Sequence, residues 1–340
     1  MFSKLLKYSI LLLAIYLWLQ AYSPLIYKSS TLFPDDYRNG DLYHLSYLPQ
    51  FKEEMRACPP SKQTAKNSKV NLFVIGDSFT EAQRIGKNDI NAAQYTNIHW
   101  SKQAEIQLDT TLKNVLVLET VERTFRDHFS QEVNQFTFEK NDGKANEKKS
   151  WKRILKENVN QAVTFIFPEK DGIEQRFESS LFSYDIFLKI REMKATLNNS
   201  FFDRVEKKVI LSKDRKNIFF SEESLPTDSH SAFYPFTDRE KAILVQNINT
   251  TQEKYLQAGF DEVYLSIIPN KVSILAPNLS EYNHLIEQIQ TDSNLKMPFI
   301  DTFSDFTKNP TKTYLKSDSH WTCTGRDIWL NKVNKILAKP

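Results

Sequence analysis

Ser78, Asp318 and His320 are the residues whose types and spacing could do chemistry together. A serine hydroxyl is a poor nucleophile until a base takes its proton, and a histidine serves when a carboxylate fixes its tautomer and supports the imidazolium. Asp318-Ser319-His320 supplies both groups from one loop, with the Asp placed to reach the imidazole Nδ1 and leave Nε2 for Ser78. Ser78 lies in residues 69–81, KVNLFVIGDSFTE, where an apolar run breaks at Gly76-Asp77 and continues as the expected start of a helix. Such a turn presents its residue at the carboxyl edge of a parallel sheet, where α/β folds place chemistry. At a helix start the Ser78 N–H would also form part of an oxyanion hole.

Each signal has a plainer counterpart. Ser78 could serve only as a helix cap, and Asp228-Ser229-His230 repeats the late tripeptide. Context favours His320, which precedes Trp321 and an amphipathic helix, whereas His230 lies in a polar loop bracketed by prolines. Asp77 is expected to orient the turn backbone, and Glu122 and Arg123 to form a buried ion pair bracing the loop, with substrate contact as the alternative. Lys271, at the end of a strand, either binds an anionic sugar or is solvated; Trp321 either packs beside His320 or forms a sugar-stacking wall. Asn97 and Asn270 are the candidates for a second oxyanion donor. His44, His99, His128 and His284 lack metal-ligand spacing, so no metal is expected.

The elements that must position these residues follow a βα rhythm. Strands are expected at residues 69–75, 114–119 (NVLVLE), 262–268 (EVYLSII) and 297–301, the apolar runs being of the buried parallel type. Helices are expected at 101–112, 120–129, 237–257 closed by Gly259, 280–290 and 326–338. Residues 130–238 break the rhythm and read as a mixed insertion, with strand-like stretches at 162–167, 208–212 and 217–220, a helix near 181–197 and a polar run at 140–149. Residues 28–68, punctuated by prolines, read as a tether, leaving 69–340 as the main domain. Alternating strands and helices with right-handed crossovers make an α/β fold on a parallel sheet in three layers.

Composition bounds the function. The 340 residues carry 45 basic and 42 acidic side chains without a dense basic stripe, which argues against nucleic-acid binding. With only 7 glycines and neither GxGxxG nor GxxxxGK[ST], no nucleotide cofactor is expected. Residues 8–27, YSILLLAIYLWLQAYSPLIY, carry no charge and are long enough to cross a bilayer. Lys4 and Lys7 precede them, so residues 1–27 are expected to be a cytoplasmic tip and uncleaved anchor with the rest exported. Export permits a disulfide between the only two cysteines, Cys58 and Cys323; two unpaired thiols are the alternative.

Gly76-Asp77-Ser78 after the first strand, with Asp318 and His320 in a late loop, resembles the SGNH hydrolase superfamily. The Asp-x-His spacing, Trp321 and the TxxG at 322–325 resemble its alginate O-acetyltransferase-like and DHHW-motif branch, as do VLVLETVER at 115–123 and IIPNK at 267–271. The resemblance implies a three-layer αβα fold with Ser78 as nucleophile, His320 as base and Asp318 as its orienter. It also implies acyl transfer, of acetyl in that branch, to a cell-envelope polysaccharide on the periplasmic side of the inner membrane, served by a membrane-bound partner that exports the acyl group. A carbohydrate acetylesterase with the same triad and a catalytically silent glycan-binding or scaffold module are the alternatives.

Overall fold

The computed structural model describes residues 2–23, 26–27, 39–61, 69–138, 173–182 and 185–339. They fall into two compact units: Met1–Arg38, Tyr47–Gln50 and Asn141–Arg204 in one, and Asn39–Ser46, Phe51–Lys140 and Val205–Pro340 in the other.

In the larger unit, β1 (Val70–Gly76), β2 (Gln94–His99), β3 (Ala104–Ile106), β4 (Lys113–Val121), β5 (Phe136–Phe138), β6 (Val209–Leu211), β7 (Ile218–Phe220) and β8 (Glu262–Ile268) follow in chain order. The main sheet runs β2-β1-β4-β8 with every pair parallel. Alternate side chains of a strand face opposite sides. Leu72, Val74, Val115 and Val117 enter one core, and Phe73, Ile75, Leu116 and Leu118 enter the other. Burial on both faces explains why these strands are continuous apolar runs rather than alternating ones.

Helices close both cores. Among the described residues the helices in chain order are α1 (Phe2–Tyr22), α2 (Asp41–Ser46), α3 (Glu122–His128), α4 (Ile173–Phe182), α5 (Asp185–Phe202), α6 (Ser221–Ser224), α7 (Asp238–Gln257), α8 (Lys271–Leu275), α9 (Leu285–Gln290), α10 (Phe303–Lys308) and α11 (Cys323–Leu337). Trp329, Leu330 and Val333 of α11 pack on the first core; Leu244, Val245 and Ile248 of α7, with Leu285, Ile286 and Ile289 of α9, pack on the second. The ends of α7 are those expected: Thr237 Oγ1 accepts from the Glu240 N–H, and Gly259 at φ +107° closes a Schellman turn through Gly259 N to Leu256 O and Phe260 N to Tyr255 O.

Several expectations are corrected. No helix follows Ser78; the Asp77 side chain captures the Phe79 N–H and the Asp77 carbonyl that of Thr80, so the chain folds through turns instead. Residues 101–112 hold β3, not a helix, because Ala104, Ile106 and Leu108 alternate with polar residues and β3 pairs with β5. The helix expected at 280–290 is confined to α9, since Asn283 is tied to Ser231 and Tyr234 and its carboxamide caps Leu285 N. The strand expected at 297–301 is reduced to a bridge between Leu265 and Phe299.

The expected tether is not all tether. Asn39–Ser46 and Phe51 onward belong to the larger unit, with Leu42 and Phe51 fully buried and Cys58 joined to Cys323 in a disulfide. The expected insertion divides as well: residues from Val205 onward, including the antiparallel β6–β7 pair, belong to the larger unit. The strand-like stretch at 162–167 and the polar run at 140–149 lie outside the described residues.

The smaller unit contains α1, α4 and α5. Lys4–Tyr22 is apolar and long enough to cross a membrane, as a span or as a signal sequence. Helix α1 ends at Tyr22, and residues 26–27 are again helical.

Candidate active site

β1 delivers Ser78 to the carboxyl edge of the main sheet. Its turn is pinned from beneath. Asp77 accepts from Phe79 N and, through its other oxygen, from Val121 N at the end of β4, both at 3.0 Å. Glu119 of β4 accepts from Asp77 N and Thr80 Oγ1, again at 3.0 Å each, and Asn97 of β2 donates to Thr80 Oγ1. Gly76 is required by this closeness: a Cβ there would stand 2.7 Å from Glu119 Oε2 and nearer still to Thr80 Oγ1. Asp77 therefore does orient the turn, as expected.

The late loop meets Ser78. Ser78 Oγ lies 2.8 Å from His320 Nε2, and His320 Nδ1 lies 2.5 Å from Asp318 Oδ1. The same Asp318 oxygen accepts the His320 backbone N–H at 2.8 Å, so the two-residue spacing fixes ring and backbone at once. Phe79 packs against His320 and Trp321, with ring centroids 4.6 and 5.0 Å apart. Burial opposes ionisation of Asp318, but the hydrogen bond and charge of His320, together with the distant Arg84, hold its carboxyl well below the usual carboxylate range.

A second carboxylate, absent from the sequence-based site, stands behind this pair. Asp41 donates its backbone N–H to Asp318 Oδ2 at 3.0 Å, accepts Ser319 N at 2.8 Å on Oδ1 and accepts Ser319 Oγ at 2.5 Å on Oδ2. Burial and the adjacent Asp318 push its carboxyl upward, against the opposing pull of His320 and Ser319. Gly40 makes the approach possible, since at φ +86° its missing Cβ would fall 2.6 Å from Ser317 Oγ. Gly40-Asp41 ahead of apolar Leu42-Tyr43 is the one local hint of this role. Asp41, Asp318 and His320 bring one ligand atom each within 4.8 Å of one another, a spacing a cation could bridge. Each carboxylate oxygen already accepts a hydrogen bond, however, so the cluster is knit as a relay.

The supporting residues sit differently from expectation. Lys271 neither faces solvent nor offers itself to a sugar: it is 1% exposed, donates to the carbonyls of Lys316 and Asp318, and is lowered by burial to about 8. It holds the late loop. Glu122 and Arg123 do not pair with each other. Glu122 accepts from Asn270 N and Ser273 Oγ, while Arg123 pairs with Glu223 at 2.5 Å. Trp321 is buried and packs edge-on against Phe79, so it is packing and not an open stacking wall. His230 bonds Asp228 at 2.8 Å, as His320 bonds Asp318, but its Nε2 faces Asp127 at 3.0 Å and no nucleophile.

For the oxyanion hole, no acceptor among the described residues takes the Ser78 N–H. Asn97 is committed to Thr80, whereas Asn270 has a buried Nδ2 with no partner among those residues. A cavity of about 360 Å³ lies at the Cys58–Cys323 disulfide, lined by Arg56, Arg84, Lys87, Asp89, Trp321 and Arg326 among others; Ser78, Asp318 and His320 are not on its lining. Two of its lining groups, Trp321 Nε1 and Arg84 Nε, are buried donors without a partner among the described residues.

The fold and the site thus define an α/β chain with a serine-histidine-aspartate relay at the carboxyl edge of a parallel sheet. No family model, curated protein or solved structure matches the chain.

Proposed function

We propose that the chain is a membrane-anchored, extracytoplasmic O-acyltransferase of SGNH type that moves an acyl group, acetyl in the first instance, to a cell-envelope polysaccharide. The observation that carries this reading is the continuous contact from Ser78 Oγ through His320 to Asp318, at 2.8 and 2.5 Å.

In this reading Ser78 Oγ attacks the acyl carbonyl carbon while its proton passes to His320 Nε2. The Ser78 N–H, with its donor unused, faces the developing oxyanion. Collapse of the tetrahedral intermediate breaks the bond to the donor, whose leaving oxygen or sulfur takes the proton from His320. A sugar hydroxyl then gives its proton to His320 and attacks the acyl-serine, and the imidazolium returns the proton to Ser78 as the ester leaves. Asp318, held anionic, supports the imidazolium in both halves.

A cavity lined by Trp321, next in the chain to His320, carries Arg56, Arg84 and Lys87 against Asp89, a balance that would favour an acceptor bearing negative charge; Arg326 on the same lining is already paired with Asp327. The apolar α1 supports the anchored location on the periplasmic face of the inner membrane. The acyl group is supplied across that membrane by a partner protein.

The test is hydrolysis of a chromogenic acetyl ester by the full chain in detergent, with Ser78→Ala and His320→Ala in parallel. Equal rates in all three would sink the relay. Adding an oligosaccharide acceptor and weighing the product by mass spectrometry separates transfer from simple esterase action.

A further inference from the structure

The smaller unit carries an apolar face that the enzyme reading leaves unused. Helix α5 buries Leu188, at 3% exposure, and turns Ile186, Ile190, Met193, Leu197 and Phe201 outward, with Phe201 76% exposed. Their spacing of four, three, four and four residues lines them along one side of the helix. An amphipathic helix of a soluble protein normally turns such a stripe inward. Here the small buried contribution lies on the inner side, and the large apolar side chains form the outer one.

The position of α5 relative to α1 says what covers that stripe. Along α1 the side chains of Leu12 and Trp18 stand exposed, as on a shaft surrounded by lipid, while Gln20 and Ala21 at its carboxyl end are buried. At that end Arg176 of α4 donates Nε to the Ala21 carbonyl at 2.7 Å. Helix α4 packs on α1 and α5 packs on α4. The bundle is therefore gathered at the level where α1 would leave the hydrocarbon, and α5 is carried beside it. Lys189 and Lys194, both exposed, lie along the same helix, where they can meet anionic headgroups while the aliphatic and aromatic side chains enter the acyl boundary.

We infer that α5 is an interfacial helix that lies on the bilayer surface beside α1, with Ile190, Met193, Leu197 and Phe201 immersed in the lipid boundary. The inference rests on the membrane-anchored part of the proposed function, and not on the catalytic part. Its consequence is a second membrane contact for the chain, so that the exported part is held at the bilayer by two elements of one compact unit.

The two native cysteines are bonded to each other, so a single added thiol can be labelled in the full chain. Ile190→Cys and Leu197→Cys report the apolar stripe; Thr196→Cys, on an exposed polar flank, is the comparison. Each variant is labelled with a small fluorophore and reconstituted into phosphatidylethanolamine and phosphatidylglycerol vesicles. Quenching is then read with nitroxide phospholipids and, separately, with aqueous iodide. The expected result is that lipid-borne nitroxide quenches positions 190 and 197 several-fold more than position 196, with the order reversed for iodide. Iodide quenching at 190 and 197 would overturn the inference by placing the face in water. Protection from both quenchers would overturn it too, by assigning the face to protein, either residues 139–172 or another chain. A chain that fails to float with vesicles overturns the anchored reading and this inference together. One that floats without lipid quenching at 190 overturns the inference alone.

Discussion

Asp41 holds Asp318 from the side opposite His320. Its backbone N–H donates to Asp318 Oδ2 at 3.0 Å, while its own carboxylate stands 3.9 Å from His320 Nδ1 and takes both donors of Ser319. The orienter of the base is thus itself oriented, by a residue far upstream in the chain. Asp41→Asn keeps the shape but places an amide where Ser319 presents only donors. In ester hydrolysis we expect kcat to fall by about tenfold, equivalent to roughly 1.4 kcal/mol, with KM little changed. Unchanged kcat would show that Lys271 and the loop backbone position Asp318 without Asp41.

Ser78 and His320 act as one unit in the proposed reaction. Removing either should leave nothing for the other to do, so Ser78→Ala and His320→Ala should each lower kcat on the order of 10⁴-fold or more, and the double variant should be no slower than either. Additive losses, read from the same steady-state assay, would mean that the two contribute separately.

Glu122 makes the stability of the fold depend on pH. Burial raises its carboxyl from the ordinary 4.5 to about 7. The folded state therefore holds a proton that the unfolded chain releases, so the stabilising contribution is full below 4.5 and is lost as pH rises through 7. A displacement of that size corresponds to about 3 kcal/mol as an upper bound. Glu122→Gln, which keeps an acceptor for Asn270 N and Ser273 Oγ, should flatten the change in urea midpoint between pH 5 and pH 8. An equally steep change in the variant would assign the dependence elsewhere.

The Cys58–Cys323 disulfide closes a loop of 265 residues and ties the segment after Phe51 to the start of α11, directly behind Trp321. Replacing both cysteines by serine should lower stability by about 2–5 kcal/mol, read as a fall in thermal midpoint. If the midpoint holds, the contacts of Leu42 and Phe51 with the larger unit suffice to keep the segment in place.

Much of the frame was legible because it is local. The strand at Glu262–Ile268 coincides with its apolar run, and α7 begins and ends at the cap residues that Thr237 and Gly259 mark. Where side chains compete with the backbone, local pattern misled: Asp77 takes the N–H groups that a helix after Ser78 would have used. Where the partner is distant in sequence, no pattern existed to read. Asp41 sits in a proline-punctuated stretch that reads as a tether, and Lys271, which by sequence could bind an anionic sugar or be solvated, instead donates its ammonium to the carbonyl of Asp318.

The two Asp-Ser-His tripeptides mark the boundary between what sequence alone determined and what required the fold. In both, an Asp two residues ahead of the His reaches Nδ1, at 2.5 Å for His320 and 2.8 Å for His230, because that contact depends only on the short loop joining them. The other ring nitrogen is out of reach of the tripeptide. Which group meets it depends on how β1, β4 and the late loop converge, and that convergence is decided by the two apolar cores on either side of the sheet. It brings Ser78 to His320 and Asp127 to His230, and so makes a candidate nucleophile-base pair of one copy and a surface ion pair of the other.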